Sequence, residues 1–315
     1  MEYNQNLQAS IIVVTWNSSE RIQNCLDQLS LLQHLEIIVV DNASGDDTVN
    51  IIEENFTKIK LIKNSQNLGF AKAVNLGLHA SHAPLVCLLN DDAILTHEKA
   101  QQFIDHFNHE EDLGVLGGQY IYPNGKFQNS IAAQPDLMTE LCNKRLINFL
   151  FPQTYPHKRA TPQNYSEVPS VIGACLWTRK EIMLKTGGLD ESYFFYLEET
   201  DYCLQAKQLG FKVKFDPAIQ IEHAQGASSK KIRTKAKIEY LISLQTYFRK
   251  NRGPFKANLL FMLRLLFLLP KTSVLSLLVI LSLGMVRNFK KQASYYWKLL
   301  FWHLRFCPQN WGMRS

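Results

Sequence analysis

Residues 84–92 read PLVCLLNDD: a proline, five apolar residues, then an amide and two carboxylates. An uninterrupted apolar run this short is the pattern of a strand buried on both faces. Two similar runs lie upstream, Ser10–Thr15 (SIIVVT) and Leu35–Val40 (LEIIVV), with a shorter one at Ile59–Lys63. Helical patterns separate them at Ser19–Leu32, where Ser19 is a candidate N-cap, at Asp46–Phe56 and at Phe70–Ala80. The alternation predicts parallel strands covered by helices, a doubly wound α/β sheet. In such sheets ligands gather beyond the C-terminal strand ends. Three runs end there in polar groups: Thr15-Trp16-Asn17, Asp41-Asn42-Ala43-Ser44 and Asn90-Asp91-Asp92. One Asp after a strand usually caps a helix; three clusters on one rim point to a site.

Beyond residue 110 the pattern changes. Gly114–Tyr122 reads as a strand and Pro123-Asn124-Gly125 as a turn. Residues 134–170 are irregular and Pro-rich, an expected insertion beside a substrate cleft. Glu198–Leu209 reads as a helix, Phe211–Phe215 and Ile219–Glu222 as two strand-like runs, and Lys230–Lys250 as a basic helix. With 46% apolar and 20% charged residues, disordered, collagen-like and disulfide-stapled classes are excluded. The six cysteines form no CxxC, so they give no zinc or redox motif and read as free thiols of a reducing compartment. The opening MEYNQNLQAS lacks the features of a secretory signal. Neither GxGxxG nor GxxxxGK[ST] occurs, so a bound phosphate needs another counter-charge. Asp91 and Asp92 offer hard oxygen ligands for Mg²⁺ or Mn²⁺.

The net charge of +6 conceals a split. Residues 1–229 carry 17 Lys/Arg against 27 Asp/Glu, whereas 230–315 carry 17 Lys/Arg against Glu239 alone. Residues 257–286 are strongly apolar, interrupted by Arg264 and by Pro270-Lys271. Read as two half-length helices, they fall short of the roughly 20 residues a span needs. Flanking cations and the aromatics Tyr295, Tyr296, Trp297, Phe301 and Trp302 predict association with a membrane surface. A Leu-rich aliphatic run argues against nucleic acid as the partner.

VVTWN, VVDNASGDDT, NLGFAKAVNLGL, LLNDDA, GACLWTRKE, GGLDESYFFYLEETDYCLQAKQLGFKV and HAQGAS follow one another across residues 10–228. In that order they resemble the motifs of family 2 glycosyltransferases, most similarly the bacterial rhamnosyltransferases of surface-polysaccharide assembly. The resemblance implies a GT-A fold with a doubly wound mixed sheet at 1–228, followed by a helical membrane-associating region at 229–315. It implies an inverting transferase with a dTDP- or UDP-sugar donor, Mg²⁺ or Mn²⁺, and a polyprenyl-diphosphate-linked saccharide acceptor. The expected location is the cytoplasmic face of the inner membrane, peripheral or shallowly inserted. By the same resemblance Thr15, Asn17 and Asp41 would meet the nucleotide, with Asn67, Gly69, Phe70, Lys72 and Asn75 forming its facing loop and helix. Asp91 would hold the ribose or the metal, Asp92 the metal, and His223 a second metal position. Gly173 and Ala174 would leave room for the donor sugar. Trp177 and Tyr193-Phe194-Phe195-Tyr196 are candidates for an acceptor wall. Inversion needs a carboxylate to take the acceptor proton. Glu199 stands where the family usually has Asp, with Asp201 and then Glu198 as alternatives. UDP-linked N-acetylhexosamine, galactose or galactofuranose, or a noncatalytic sugar-nucleotide binder, are the competing readings.

Overall fold

The computed structural model describes residues 7–32, 34–142, 149–150, 162–224 and 233–314. Packing divides the chain into two units, one of residues 1–134, 158–194 and 198–225, the other of residues 135–157, 195–197 and 226–315.

The first unit is built on a mixed sheet. Strands β1 (Ala9–Thr15), β2 (Leu35–Asp41), β3 (Lys60–Lys63) and β4 (Leu85–Asn90) run parallel in the order β3-β2-β1-β4. The sheet continues through β10 (Cys175–Arg179), β6 (Leu113–Ile121), β11 (Lys212–His223) and β5 (Ala93–Ile94). The four apolar runs are parallel as predicted; β10, which is not among the predicted strands, lies antiparallel to both β4 and β6, so the sheet is mixed, as the family resemblance implied. The two strand-like runs at 211–222 form one strand, β11, with an irregularity in its pairing between Asp216 and Gln220. Short β7 (Ile131–Ala132) pairs β9 (Ser170–Val171), and β8 (Ser166–Glu167) pairs β11.

Alternate side chains feed two cores. Ile11 and Val13 pack beneath α1 (Ile22–Leu29) and α4 (His97–His109); Ile12 packs with Val74 of α3 (Phe70–Ala80) and Tyr202 of the later acidic helix. Helix α2 (Thr48–Asn55) follows β2. Ser19 is not the cap of α1: the Ser18 carbonyl accepts from Arg21 and Ile22 N–H, each at 2.9 Å, and the helix begins at Ile22. The 134–170 stretch contains α5 (Leu137–Leu141), opened by an Asp136–Thr139 capping box. Helix α6 (Lys180–Lys185) follows β10, and α7 (Glu198–Gln208) precedes β11.

The second unit holds α8 (Arg233–Asn251), α9 (Pro254–Leu281) and α10 (Arg287–Leu304). The expected break at Pro270 does not occur: α9 runs through it for 28 residues. Proline removes one amide donor, and the rest of the ladder carries the helix past it. Hydroxyls of Thr272 and Ser273 bond back to the carbonyls of Leu268 and Leu269 at 2.7 and 3.0 Å. Arg264 meets Glu140 at 2.8 Å, so the charge inside the apolar run is paired. By length and composition α9 could cross a membrane. Ile238, Leu241, Ile242, Leu299 and Trp302 form the core of this unit.

Candidate active site

Strand register assembles the rim. Thr15 pairs Asp41 across β1 and β2, and Val14 pairs Asn90 across β1 and β4. Thr15, Asp41 and the Asn90–Asp92 turn therefore end at one level. The loops after β1 and β2 are tied together. Asn17, at φ 50°, accepts from Gly45 N–H at 2.8 Å and donates its own N–H to Ser44 Oγ at 2.9 Å. Ser18 N–H donates to Thr48 Oγ1 at 2.8 Å. Asp41 is 2% exposed, and its carboxylate accepts from Ser44 N–H and Oγ at 3.0 and 2.5 Å.

Asp91 points into the protein. Its Oδ2 accepts from the Ser18 hydroxyl and, at 3.2 Å, from Thr15 Oγ1, with Arg21 Nη2 3.6 Å away. Burial pushes this carboxyl up from its ordinary range, against the pull of Ser18 and Arg21 and with the push of Asp92. Ser18 and Arg21 were not among the residues expected here. Their signal was positional: they follow the strand-end TWN directly.

Asp92 and His223 face each other. Antiparallel pairing of β5 with β11 sets His223 opposite Ala93, next to Asp92. His223 Nε2 lies 3.1 Å from Asp92 Oδ1 and 3.5 Å from Asn90 Nδ2. Gln128, which sequence reasoning missed, fixes the ring. Its Nε2 donates to the His223 carbonyl, which can only accept, so its Oε1 is the atom 3.0 Å from His223 Nδ1. Nδ1 therefore carries the proton, and in the neutral ring Nε2 presents a lone pair toward Asp92. A proton on Nε2 or a metal ion would each bridge that lone pair and the carboxylate oxygen. Among the described residues no three His, Cys, Asp or Glu could enclose a metal. The pair thus fits a divalent ion whose other positions are filled by phosphate oxygens or water. The remainder of HAQGAS, from Gln225, lies outside the described residues.

The base candidates lie in the first turn of α7. Glu198 and Asp201 are buried, at 5% and 0% exposure. Asp201 accepts from Gln205 at 2.7 Å, an intrahelical bond. Glu199 points elsewhere, and burial pushes its carboxyl up from the ordinary range. A Cβ built on Gly173 would stand 3.3 Å from Glu199 Cβ, while the next carbonyl, Ala174, accepts from Asn90 N–H at 2.9 Å. Two consecutive residues therefore touch the Glu199 side chain on one side and the Asn90 strand end on the other. Tyr120, also missed, pins this turn: its hydroxyl donates to Ile172 O at 2.6 Å and accepts from Cys175 N–H at 2.9 Å. Tyr196 and Leu197, just before α7, hold φ of 76° and 69°, strained values for such residues.

Other expected residues divide. Asn67 Oδ1 accepts from Gly69 N–H at 3.0 Å. Gly69, at φ 84°, approaches Phe194, whose carbonyl accepts from Phe70 N–H at 2.7 Å. A Cβ at Gly69 would come within 2.6 Å of that oxygen. Lys72 is exposed. Asn75 belongs elsewhere: its side chain is 4% exposed and bonds Leu189 O, Leu189 N–H and Glu191 at 2.8, 2.9 and 3.1 Å. Its amide holds the 188–191 loop. Trp177 and Tyr193 are core residues, 0% and 1% exposed, and Trp177 stacks on Phe103 at 5.1 Å.

The acid rim at Asp41, Asp91 and Asp92, the Asp92–His223 pair and the Glu199 carboxyl are the groups of a candidate site on an α/β sheet. The chain belongs to the family described as "Glycosyl transferase family 2", whose model matches residues 10–187. It is a glycosyltransferase. It is 24% identical over 236 residues to the N-acetylglucosaminyl-diphospho-decaprenol L-rhamnosyltransferase of Mycobacterium tuberculosis, covering 70% of this chain and 76% of that one. Its fold resembles the mannosyltransferase PcManGT from Pyrobaculum calidifontis, solved with GDP-Man and Mn²⁺ (TM-score 0.53, 14% identity, 94% and 87% of the two chains). It also resembles S. aureus TarS 1-349 in complex with UDP-GlcNAc (TM-score 0.54, 16% identity, 77% and 67%). The sheet is thus of the GT-A kind.

Proposed function

We propose that the protein is an inverting, divalent-metal-dependent transferase that moves a deoxyhexose such as rhamnose from its dTDP conjugate to a polyprenyl-diphosphate-linked saccharide. The observation that carries the metal reading is the 3.1 Å approach of His223 Nε2 to Asp92. The donor and acceptor rest on likeness to the mycobacterial rhamnosyltransferase, whose name specifies a lipid diphosphate acceptor.

Thr15, Asn17 and Asp41 hold the base and ribose end of the donor, with Asp91 beside them. Asn67, Gly69, Phe70 and Lys72 form the adjoining loop and helix start, and Gly173 and Ala174 line the sugar. Asp92 and His223 would hold Mg²⁺ or Mn²⁺, whose charge would neutralise the leaving diphosphate. Glu199 is the general base. The acceptor hydroxyl oxygen attacks C1, its proton passes to the Glu199 carboxylate, and the C1–oxygen bond to the diphosphate breaks. The nucleoside diphosphate leaves, and configuration at C1 inverts. Glu199 is set apart from Glu198 and Asp201 because its side chain lies against Gly173.

Residues 1–228 carry the chemistry in this reading. Residues 229–315 bind the cytoplasmic face of a membrane, where a polyprenyl-linked acceptor resides. Calorimetric titration with dTDP and UDP, each with and without Mn²⁺, tests the donor site. Metal-dependent binding that favours dTDP is expected. Preference for UDP moves the donor to a hexosamine or galactose, and binding of neither refutes the site.

A further inference from the structure

The second unit has three acids, and all are committed internally. Asp136 caps α5 at Thr139 N–H, 2.7 Å away. Glu140 takes Arg264 at 2.8 Å and the Tyr240 hydroxyl at 3.1 Å. Glu239, 0% exposed, accepts from Met313 N–H at 2.9 Å and Arg314 Nε at 3.4 Å. Lys290, Lys291 and Lys298 of α10 nevertheless converge, with Thr234, Ser294 and Tyr295, on a cavity of about 360 Å³. Among the described residues no carboxylate forms an ion pair with these lysines. Three exposed cations lining one cavity form a positively charged site that an anion from outside would neutralise.

An apolar surface adjoins this cavity. Ile280, Leu281, Leu283 and Met285, at the turn between α9 and α10, are 68%, 70%, 82% and 78% exposed. Met262, Leu266, Leu269 and Leu277 extend the exposed stripe along α9 at helical spacing. A Cβ on Gly284 would stand 3.1 Å from Lys290 Nζ, so the cavity's cation lies directly over the apolar turn. Trp297, 40% exposed, donates to Ser276 Oγ at 2.9 Å, an indole poised at an apolar–polar boundary.

Helices α9 and α10 form an antiparallel hairpin, since Phe261 stacks on His303 and Lys271 covers the Tyr296 ring. Helix α9 alone is about 42 Å long, enough to cross a bilayer. Its companion carries Arg287, Lys290, Lys291 and Lys298 and cannot follow it across. A hairpin of this kind enters one leaflet.

Resting on the membrane reading above, we propose that Lys290, Lys291 and Lys298 form a phosphate-binding pocket. It grips anionic phospholipid headgroups while the 280–286 turn enters the acyl region. Flotation of the full chain with phosphatidylcholine vesicles, with or without phosphatidylglycerol, tests this. The wild type is expected to bind the anionic vesicles. The triple variant K290Q/K291Q/K298Q should bind them about 100-fold more weakly, near fivefold per lysine. The triple variant L281S/L283S/M285S should lose binding to the anionic vesicles with its melting temperature unchanged, since these side chains are exposed.

Equal binding by the lysine variant overturns the pocket. Calorimetric binding of inorganic phosphate without vesicle binding overturns the lipid source. A wild-type dimer by light scattering, abolished by the serine variant and accompanied by no vesicle binding, assigns the apolar face to a second copy and overturns the proposal. In every arm dTDP binding is measured as well, so failure of this pocket is distinguishable from failure of the donor site.

Discussion

Replacing Gln128 by leucine tests the cation site through a residue that touches no substrate. Gln128 and His223 are 5% and 6% exposed and share two hydrogen bonds, one to the ring and one to the His223 carbonyl. In Q128L both partners stay buried. Each buried polar group left unmatched costs about 1–3 kcal/mol, so a stability loss of about 2–4 kcal/mol is expected. The ring has one relief: its proton moves to Nε2, where Asp92 Oδ1 accepts at 3.1 Å. The lone pair facing Asp92 is then consumed. Loss of such a supporting bond lowers metal affinity about 10–100-fold, or about 1.4–2.7 kcal/mol. Electron paramagnetic resonance titration of Mn²⁺ reads the affinity, with H223A marking the loss of the ligand itself. Nitrogen-15 shifts of the His223 ring in metal-free protein read the tautomer directly. A folded Q128L with wild-type Mn²⁺ affinity and the proton still on Nδ1 would refute the reasoning.

Burial raises the Glu199 carboxyl, so the acid limb of kcat should lie above the ordinary carboxylate range near 4.5. The neutral form is favoured in the folded state. The associated stabilisation is present below about 4.5 and is lost as pH rises through the raised value. E199Q should therefore melt no lower than wild type at neutral pH while kcat falls about 10²–10⁴-fold; a lowered melting temperature would contradict the burial argument. G69A combines a left-handed backbone with a Cβ driven against the Phe194 carbonyl, and urea denaturation should show a loss of about 2–5 kcal/mol. N75A should cost about 2–4 kcal/mol by breaking the amide's bonds to Leu189 and Glu191, with nucleotide affinity unchanged; weakened nucleotide binding in folded N75A would return that side chain to the donor site.

The four leading strands were legible because buried parallel strands read as unbroken apolar runs, and α3 was expected at Phe70–Ala80 as found. Strand β10 was not legible as a strand, because CLWTR is five residues with no long apolar run, and strand direction leaves no mark on composition. Pro270 misled for a related reason: proline removes the one amide donor that would meet the Leu266 carbonyl, and a helix of 28 residues survives the loss of a single bond. At the rim, the motifs located Asp41, Asp91, Asp92 and His223. Which acid faces inward and which faces His223 follows from the β5–β11 pairing, a contact 130 residues apart in sequence between Ala93 and His223. Gln128 and Tyr120 carried no local signal, since a buried amide or phenol acquires its role only from the backbone it meets. Asn75 lay within a recognised motif, yet its partners are on a loop more than a hundred residues away.

The central claim is that one rim binds the nucleotide sugar and that Glu199 takes the acceptor proton. Its most direct measurement is transfer from dTDP-rhamnose to an N-acetylglucosaminyl-diphospho-polyprenol with Mn²⁺, comparing wild type with E199Q and reading anomeric configuration by NMR. The account predicts an inverted linkage formed by wild type, and dTDP binding with turnover cut about 10²–10⁴-fold in E199Q. Wild-type turnover in E199Q, or a product with retained configuration, would contradict it.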